Sequence, residues 1–172
     1  MKAHQKRYFA AVILSIGLSA CSLTGDVRED PKATGVSFKA PKSSQWQAMA
    51  DKADADSAWI HKKTGATLAL RSLCRRYEHL SLRALSQNLI NTLQENEVQT
   101  QTEMQVAGRA ALSTHFKGQI DGVAIENRLV VMRKDHCIFD FTLSQLAAIS
   151  PEVSEDFDAF LSSFSYEGGT AP

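Results

Sequence analysis

The chain has 172 residues, 44% of them hydrophobic, and its 19 Lys and Arg residues balance 19 Asp and Glu residues. This length is that of one domain large enough to bury a hydrophobic core. The balanced charge argues against a nucleic-acid-binding protein, because such a protein would normally present a basic face.

The N-terminus has the layout of an export signal. Residues 1–8 carry three basic residues and no acid, and residues 9–18 are almost wholly apolar or small. This apolar stretch is shorter than the about 20 residues that a membrane-spanning helix needs. The run Leu18-Ser19-Ala20-Cys21 follows, and it resembles the lipobox of bacterial lipoproteins. An ordinary cleaved signal with Cys21 close to the cut is the alternative.

The lipobox resemblance implies that residues 1–20 are a signal peptide and that Cys21 carries the lipid anchor. The Cys21 thiol would receive a diacylglyceryl group and its freed amine an acyl chain such as palmitate, and two or three chains make a lasting anchor. Ser22 is not an aspartate, so the resemblance implies sorting to the outer membrane, facing the periplasm. The 152 remaining residues lose three basic side chains and have a net charge of −3. This charge argues against electrostatic docking onto anionic lipid.

The exported part of the chain divides into a tether, one domain and a tail. Residues 21–34 are mostly polar after Cys21, contain Pro31 and lack an apolar period, which is typical of a flexible spacer, with a binding tail as the alternative. Residues 35–167 are predicted to form a single α+β domain. The tail, residues 168–172, begins with two glycines and is predicted to be disordered.

The first half of this domain is predicted to contain a strand and a hairpin. Residues 35–41 alternate apolar and polar side chains and stop at a proline. Residues 45–56 are predicted to be a connection anchored by Trp46 and Met49. Residues 58–61 and 66–72 then flank a turn in which Gly65 would supply a positive φ.

Two amphipathic helices are predicted. The first begins after Ser81 as its N-cap and ends at Asn96, with a leucine at positions 82, 85, 89 and 93. The second begins at Ser150-Pro151 and carries an apolar stripe made of Phe157, Phe160, Leu161 and Phe164.

The segment between the helices, residues 98–143, is rich in strand signals. Gly108, Gly118 and Gly122 are predicted to lie in turns, and a further polar turn is predicted at residues 134–136. In the strand after it, odd-numbered residues 137–141 would share one face, with Ile138 and Asp140 on the other.

This order of elements predicts an α+β fold: an antiparallel β-sheet packed by two amphipathic helices. The order resembles the PsbP-like fold over residues 35–166. The cues are the opening pattern at residues 36–41, Trp46, the Gly108-Arg109-Ala110 turn and the phenylalanine-rich last helix. The resemblance implies a binding or assembly module, and since that group shares no catalytic motif, it assigns no functional residue.

Cys74 and Cys137 remain once the signal is removed, and an exported compartment permits disulfides. We expect them to form a disulfide bond that closes a loop of 63 residues. The alternative is two buried, unpaired cysteines that act as small core residues.

The motifs of known chemistry are missing from the sequence. No histidine pair has the spacing of a helical metal site, and neither H-E-x-x-H, C-x-x-C nor G-x-S-x-G occurs. His136 and Cys137 are neighbours on a strand, so their side chains would point to opposite faces, which disfavours a cysteine hydrolase. We therefore expect no enzyme, no metal and no cofactor.

A basic run offers a candidate docking patch: Arg71, Arg75, Arg76 and Tyr77. Arg and Tyr are favoured at interface hot spots, although an exposed polar rim is the simpler interpretation. The sequence predicts a lipid-anchored, non-catalytic envelope protein that binds an envelope protein partner or helps an assembly form. The alternative is a carrier of a small or lipid-like ligand in a pocket between sheet and helices.

Overall fold

The computed structural model describes residues 31–42, 44–74, 80–146 and 148–168. Seven strands form the main sheet: β2 Trp46–Ala48, β3 Ser57–His61, β4 Thr67–Cys74, β5 Gln94–Val106, β6 Arg109–Ile120, β7 Val123–Lys134 and β8 Cys137–Leu146. A second sheet pairs β1 Val36–Ser37 with β9 Ser165–Tyr166, and the helices are α1 Leu82–Ile90 and α2 Pro151–Ser163. The main sheet has the order β2-β3-β4-β8-β7-β6-β5, with every neighbouring pair antiparallel. The predicted α+β class is confirmed.

One face of the main sheet packs against α2 through aromatic side chains. Phe160 of α2 lies edge-on to Phe38, Trp59 and Phe141, with ring centroids 5.2–6.1 Å apart. Val153 and Phe157 of the same helix are completely buried. Burying each such side chain stabilises the fold by about 1.5–3 kcal/mol, so this layer is the main core.

The opposite face of the sheet packs against α1. Leu85 and Ile90 of the helix are buried against a second apolar cluster on the sheet, made of Phe116, Leu129, Val131 and Ile138. The helices therefore lie on opposite faces, and the middle of β8 is covered on both sides. For this reason Ile138 and Asp140, on the face away from Phe139, are 4% and 5% exposed.

The first helix is shorter than the sequence predicted. It ends at Ile90 rather than Asn96, because the N–H groups of Thr92 and Leu93 donate to carbonyls three residues back instead of four. The Thr92 hydroxyl also donates to the Leu89 carbonyl, 2.7 Å away. The chain then begins β5 at Gln94. The leucine spacing continued past the helix because Leu93 still packs beside the same cluster.

The prediction that Gly118 lies in a turn is also wrong. Gly108 and Gly122 do lie in turns, with φ of 71° and 77°, but Gly118 lies inside β6. A Cβ atom added to Gly118 would lie 3.1 Å from Cδ1 of Leu93. This glycine therefore provides room for Leu93 rather than a turn.

The N-terminal part of the fold departs from prediction in three places. The strand expected over residues 35–41 is limited to the two residues of β1, because its partner strand β9 is itself only two residues long. The expected connection over residues 45–56 contains β2, whose Trp46 is buried as predicted and donates its Nε1–H to Asp156. Residues 31–33, placed in the tether, contact the fold, where the Ala33 N–H donates to the Ser72 hydroxyl.

The predicted hairpin is confirmed as β3 and β4, with Gly65 at a φ of 70°. The second helix also begins at the predicted Ser150-Pro151 pair and buries the predicted stripe. Neither helix in the described ranges is long and apolar enough to cross a membrane.

Candidate functional site

The two cysteines meet where β4 ends and β8 begins. Cys74 lies directly opposite Cys137 in the strand register, and a disulfide bond joins them. The Cys74 N–H donates to the Pro31 carbonyl 2.8 Å away, and the Cys137 sulfur lies 3.5 Å from the Tyr166 hydroxyl. The entering chain and the last strand are therefore both joined to the disulfide end of the sheet.

Basic side chains surround this end. The β7–β8 turn places Asp135 and His136 at φ values of 51° and 65°, so the turn is tight and its neighbours stay in the strands. A cavity of about 290 Å³ opens beside the turn, lined by Arg109 at the start of β6, by Arg133 and Lys134 at the end of β7, and by the acidic Asp135 of the turn itself. We call five residues the basic end: Arg83, Arg109, Arg133, Lys134 and His136.

Two of these cations are held in place by backbone carbonyls. Arg133 donates from Nη1 to the Leu80 carbonyl, 2.8 Å away. Lys134 donates from Nζ to the Tyr166 carbonyl and lies 5.4 Å from the centre of the Tyr166 ring. These contacts hold the Arg133 and Lys134 side chains in place at this end of the sheet.

The charge of strands β5 to β7 is polarised along their length. At the disulfide end, Arg83 of α1 and Arg133 of β7 line a groove of about 690 Å³ beside α1. Glu103 of β5 is the acidic residue of that lining. The opposite end carries four acids against Lys117: Glu95, Glu97, Asp121 and Glu126. A polarised surface of this kind can orient a charged partner as it approaches.

The predicted docking patch is only partly within the described residues. Arg71 lies in β4, where its Nε is 3.0 Å from Oδ2 of Asp54 and its side chain is 31% exposed. Arg75, Arg76 and Tyr77 lie outside the described residues, as does Cys21. The patch and the lipidation site therefore stay predictions.

Asp140 is a buried carboxyl group in the α1-facing layer. It lies opposite Arg71 in the strand register, and its Oδ1 accepts no hydrogen bond from the described part of the chain. Burial raises the pKa of Asp140 to about 7, against the opposing effect of Arg71. Oδ1 of Asp140 is therefore open to a hydrogen-bond donor that the described residues do not supply.

The described histidines have separate environments. Nδ1 of His61 lies 2.9 Å from the Thr64 hydroxyl in the β3–β4 turn, and Nε2 of His115 lies 2.5 Å from Glu126. Among residues 31–42, 44–74, 80–146 and 148–168, no group of three His, Cys, Asp or Glu could hold a metal ion. Cys137, bonded to Cys74, offers no thiolate for nucleophilic chemistry.

The sequence reasoning missed most of the basic end. Arg133 and Lys134 are adjacent in the sequence, but Arg109 lies 24 residues before Arg133. No local run of charge therefore predicts that the three side chains come together. The two turns that bring them together were predicted, but the strand register that places β6 beside β7, and β7 beside β8, was not. Register would have been needed to find this site.

Comparisons with known proteins show the fold and not a family. No family model and no curated protein matches the chain. Similar solved structures include cyanobacterial PsbP (CyanoP) from Synechocystis sp. PCC 6803, at 14% identity and a TM-score of 0.59 over 87% of this chain and 98% of that one. LpqN of Mycobacterium tuberculosis, involved in cell envelope biogenesis, matches at 10% identity and a TM-score of 0.54 over 84% of this chain and 88% of that one.

A protein of unknown function from Pseudomonas aeruginosa, PA94, matches at 12% identity and a TM-score of 0.53 over 84% of this chain and 89% of that one. All three identities are too low to carry a function from one protein to another. The chain has the PsbP-like α+β fold.

Proposed function

We propose that this chain is a lipid-anchored protein of the cell envelope that acts as a non-catalytic protein-binding or assembly-accessory module. Its partner would be an envelope protein that presents an acidic surface to the basic end. The lipobox at Cys21 supports the anchor, and the envelope-biogenesis role of LpqN supports the setting.

The observation that carries this proposal is the position at which the chain enters the fold. The Pro31 carbonyl accepts a hydrogen bond from the Cys74 N–H, at the same end of the sheet as Arg109, Arg133 and Lys134. Pro31 lies ten residue steps after Cys21, a stretch of chain that spans at most about 35 Å. An anchor at Cys21 would therefore keep the basic end close to the membrane, in reach of partners anchored there.

The anchor is tested by labelling cells with radioactive palmitate and separating membranes from soluble protein. The full-length chain should be labelled and sediment with the outer membrane. Cys21→Ser should lose both the label and the membrane association. Retention of the membrane association by Cys21→Ser would contradict the anchor.

The docking surface is tested by charge reversal. The pair Arg83→Glu and Arg109→Glu should abolish co-purification of the acidic partner from detergent-solubilised membranes. The matched control is Lys62→Glu with Lys63→Glu, in the exposed β3–β4 turn at the other end of the sheet. Equal loss in both variants, or in neither, would contradict docking at the basic end.

The groove of about 690 Å³ between α1 and strands β5 and β6 favours a second candidate, a carrier of a small or lipid-like ligand. This volume falls in the range of about 300–1,000 Å³ that small-molecule pockets occupy. Native mass spectrometry of protein taken from its own membrane should then show an added small mass. Ala110→Trp, in the groove wall, should remove that mass, and a bare polypeptide in the wild type would contradict this candidate.

A further inference from the structure

A second, smaller cavity lies between α1 and strands β4 and β8. Its volume is about 190 Å³, and its walls are apolar: Leu73, Leu80, Leu85, Leu89 and Ile138. Its polar side chains are those of Arg71, Asn88 and Asp140. The volume is below that of pockets for drug-sized ligands, so it suits a short chain with one polar end.

Asp140 supplies an unsatisfied acceptor to this cavity, and Nε of Arg71, although close to Asp54, is likewise buried without a hydrogen bond. Asp140 is 5% exposed, and Oδ1 accepts no hydrogen bond from any residue that the structure describes. A buried carboxylate without a donor is costly, because it has lost its hydration without replacement. The cavity therefore favours a ligand that brings a hydrogen-bond donor and a positive charge.

The two cations that act on Asp140 are each paired with another carboxylate, and Oδ1 of Asp140 has no hydrogen-bond donor among the described residues. Arg71 lies opposite Asp140, but its Nε is 3.0 Å from Oδ2 of Asp54. Lys32, the other cation that acts on Asp140, lies 3.1 Å from Oδ1 of Asp56. Asp54 also acts on Asp140, in the direction that raises its pKa. Among the described residues, α1 lines the cavity with the uncharged Leu85, Asn88 and Leu89, and β7 places Val131 opposite Asp140.

We propose that this cavity binds a primary alkylammonium group, whose N–H donates to Oδ1 of Asp140 and whose alkyl stem contacts the leucine walls. An ammonium has three donors and is small enough to fit, and its charge would offset that of the carboxylate. A free alkylamine and the lysine side chain of a partner protein share this chemistry. The proposal is independent of docking at the basic end, because the cavity contains none of the five residues of that surface.

The first test is calorimetric titration of the full-length protein, in uncharged detergent micelles, with n-butylammonium chloride. Binding of one equivalent is expected at pH 8, and n-butanol, which has the same stem without the charge, should bind at least ten-fold more weakly. Since the pKa of Asp140 is raised to about 7, the ionised fraction falls about ten-fold from pH 8 to pH 6. The affinity for n-butylammonium should fall by the same factor.

Variants separate the proposed site from general binding. Asp140→Asn should abolish binding of n-butylammonium, whereas Asp121→Asn, an equal loss of charge in the exposed β6–β7 turn, should leave it unchanged. Leu89→Phe should fill part of the cavity and weaken binding while leaving Asp140 in place. Absence of binding at pH 8, equal affinity for n-butanol, or unchanged binding by Asp140→Asn would each overturn the proposal.

A third titration distinguishes the two sources of the ammonium group. Nα-acetyl-lysine N-methylamide presents a lysine side chain on a blocked backbone. An affinity equal to that of n-butylammonium would assign the cavity to a lysine of a partner protein. An affinity at least ten-fold lower would assign it to a free alkylamine. Whichever result is obtained, Asp140→Asn should also lose binding of the lysine derivative.

Discussion

Asp140 and Arg71 lie directly opposite each other on β8 and β4, yet the Arg71 guanidinium contacts Asp54 through Nε, 3.0 Å from its Oδ2. Oδ1 of Asp140 is left buried with no donor among the described residues. Opposite charges across two strands usually stabilise a sheet by a few tenths of a kcal/mol up to about 1 kcal/mol. Here desolvation of the carboxyl outweighs that gain, as the direction of its pKa shift shows.

The stability of the fold should therefore fall as pH rises through the range in which Asp140 ionises. Its pKa is raised from 3.8 to about 7 in the folded chain, so between these values the folded state holds a proton that the unfolded state has lost. The stabilising proton is fully present below about pH 4 and lost above about pH 7. The difference is of the order of 4 kcal/mol.

Urea unfolding of the wild type and Asp140→Asn at pH 4.5 and pH 8 measures this effect. Asp140→Asn should gain stability relative to the wild type on going from pH 4.5 to pH 8. Asp121→Asn, the exposed control, should follow the wild type to within about 0.5 kcal/mol. Parallel pH profiles for the wild type and Asp140→Asn would mean that the carboxyl is not desolvated in the folded chain.

The disulfide between Cys74 and Cys137 should contribute strongly to stability. It closes a loop of 63 residues, for which chain entropy predicts about 4 kcal/mol. Adding a reductant should lower the urea midpoint of the wild type toward that of Cys74→Ser with Cys137→Ser. The double variant should not respond to reductant, and a wild type that is equally indifferent would contradict the bond.

Gly118 should be intolerant of a side chain because of Leu93. A Cβ atom at position 118 would lie 3.1 Å from Cδ1 and 3.2 Å from Cβ of Leu93. Gly118→Ala should therefore destabilise the fold by about 1–3 kcal/mol. In a Leu93→Ala background the same change should cost at least about 0.5 kcal/mol less, measured by urea unfolding. Additive effects of the two changes would show that they do not touch.

Phe160 should be the most sensitive position of α2. It is 2% exposed and contacts rings on the N-terminal segment, β3 and β8. Phe160→Ala should cost about 3–5 kcal/mol in thermal or urea unfolding. Ile120→Ala, at a side chain that is 51% exposed, is the control and should change stability little.

The sequence predicted the elements better than their arrangement. The stripe Phe157, Phe160, Leu161 and the hairpin around Gly65 were found because helix periodicity and turn chemistry are local signals. The end of α1 was missed because three-residue turn bonds from Thr92 and Leu93 close the helix while Leu93 continues the apolar spacing. β2 was missed because three residues are too few to show alternation.

The candidate sites depend on contacts that no local pattern records. Asp140 was assigned to the face opposite Phe139, but its burial follows from α1 packing on that face, which the sequence did not specify. Arg109 joins Arg133 and Lys134 only through the register of three strands. Cys74 and Cys137 could be paired from the sequence because two thiols leave a single intramolecular choice.

The most direct test of docking at the basic end is photo-crosslinking in intact cells, with the crosslinking amino acid placed at position 109 of the lipidated full-length chain. The account predicts one recurring adduct with an acidic envelope protein. The adduct should disappear with Arg83→Glu and be absent when the crosslinker replaces Lys63 at the other end of the sheet. Adducts with lipid alone, or the same adduct from both positions, would contradict a protein-docking role for this surface.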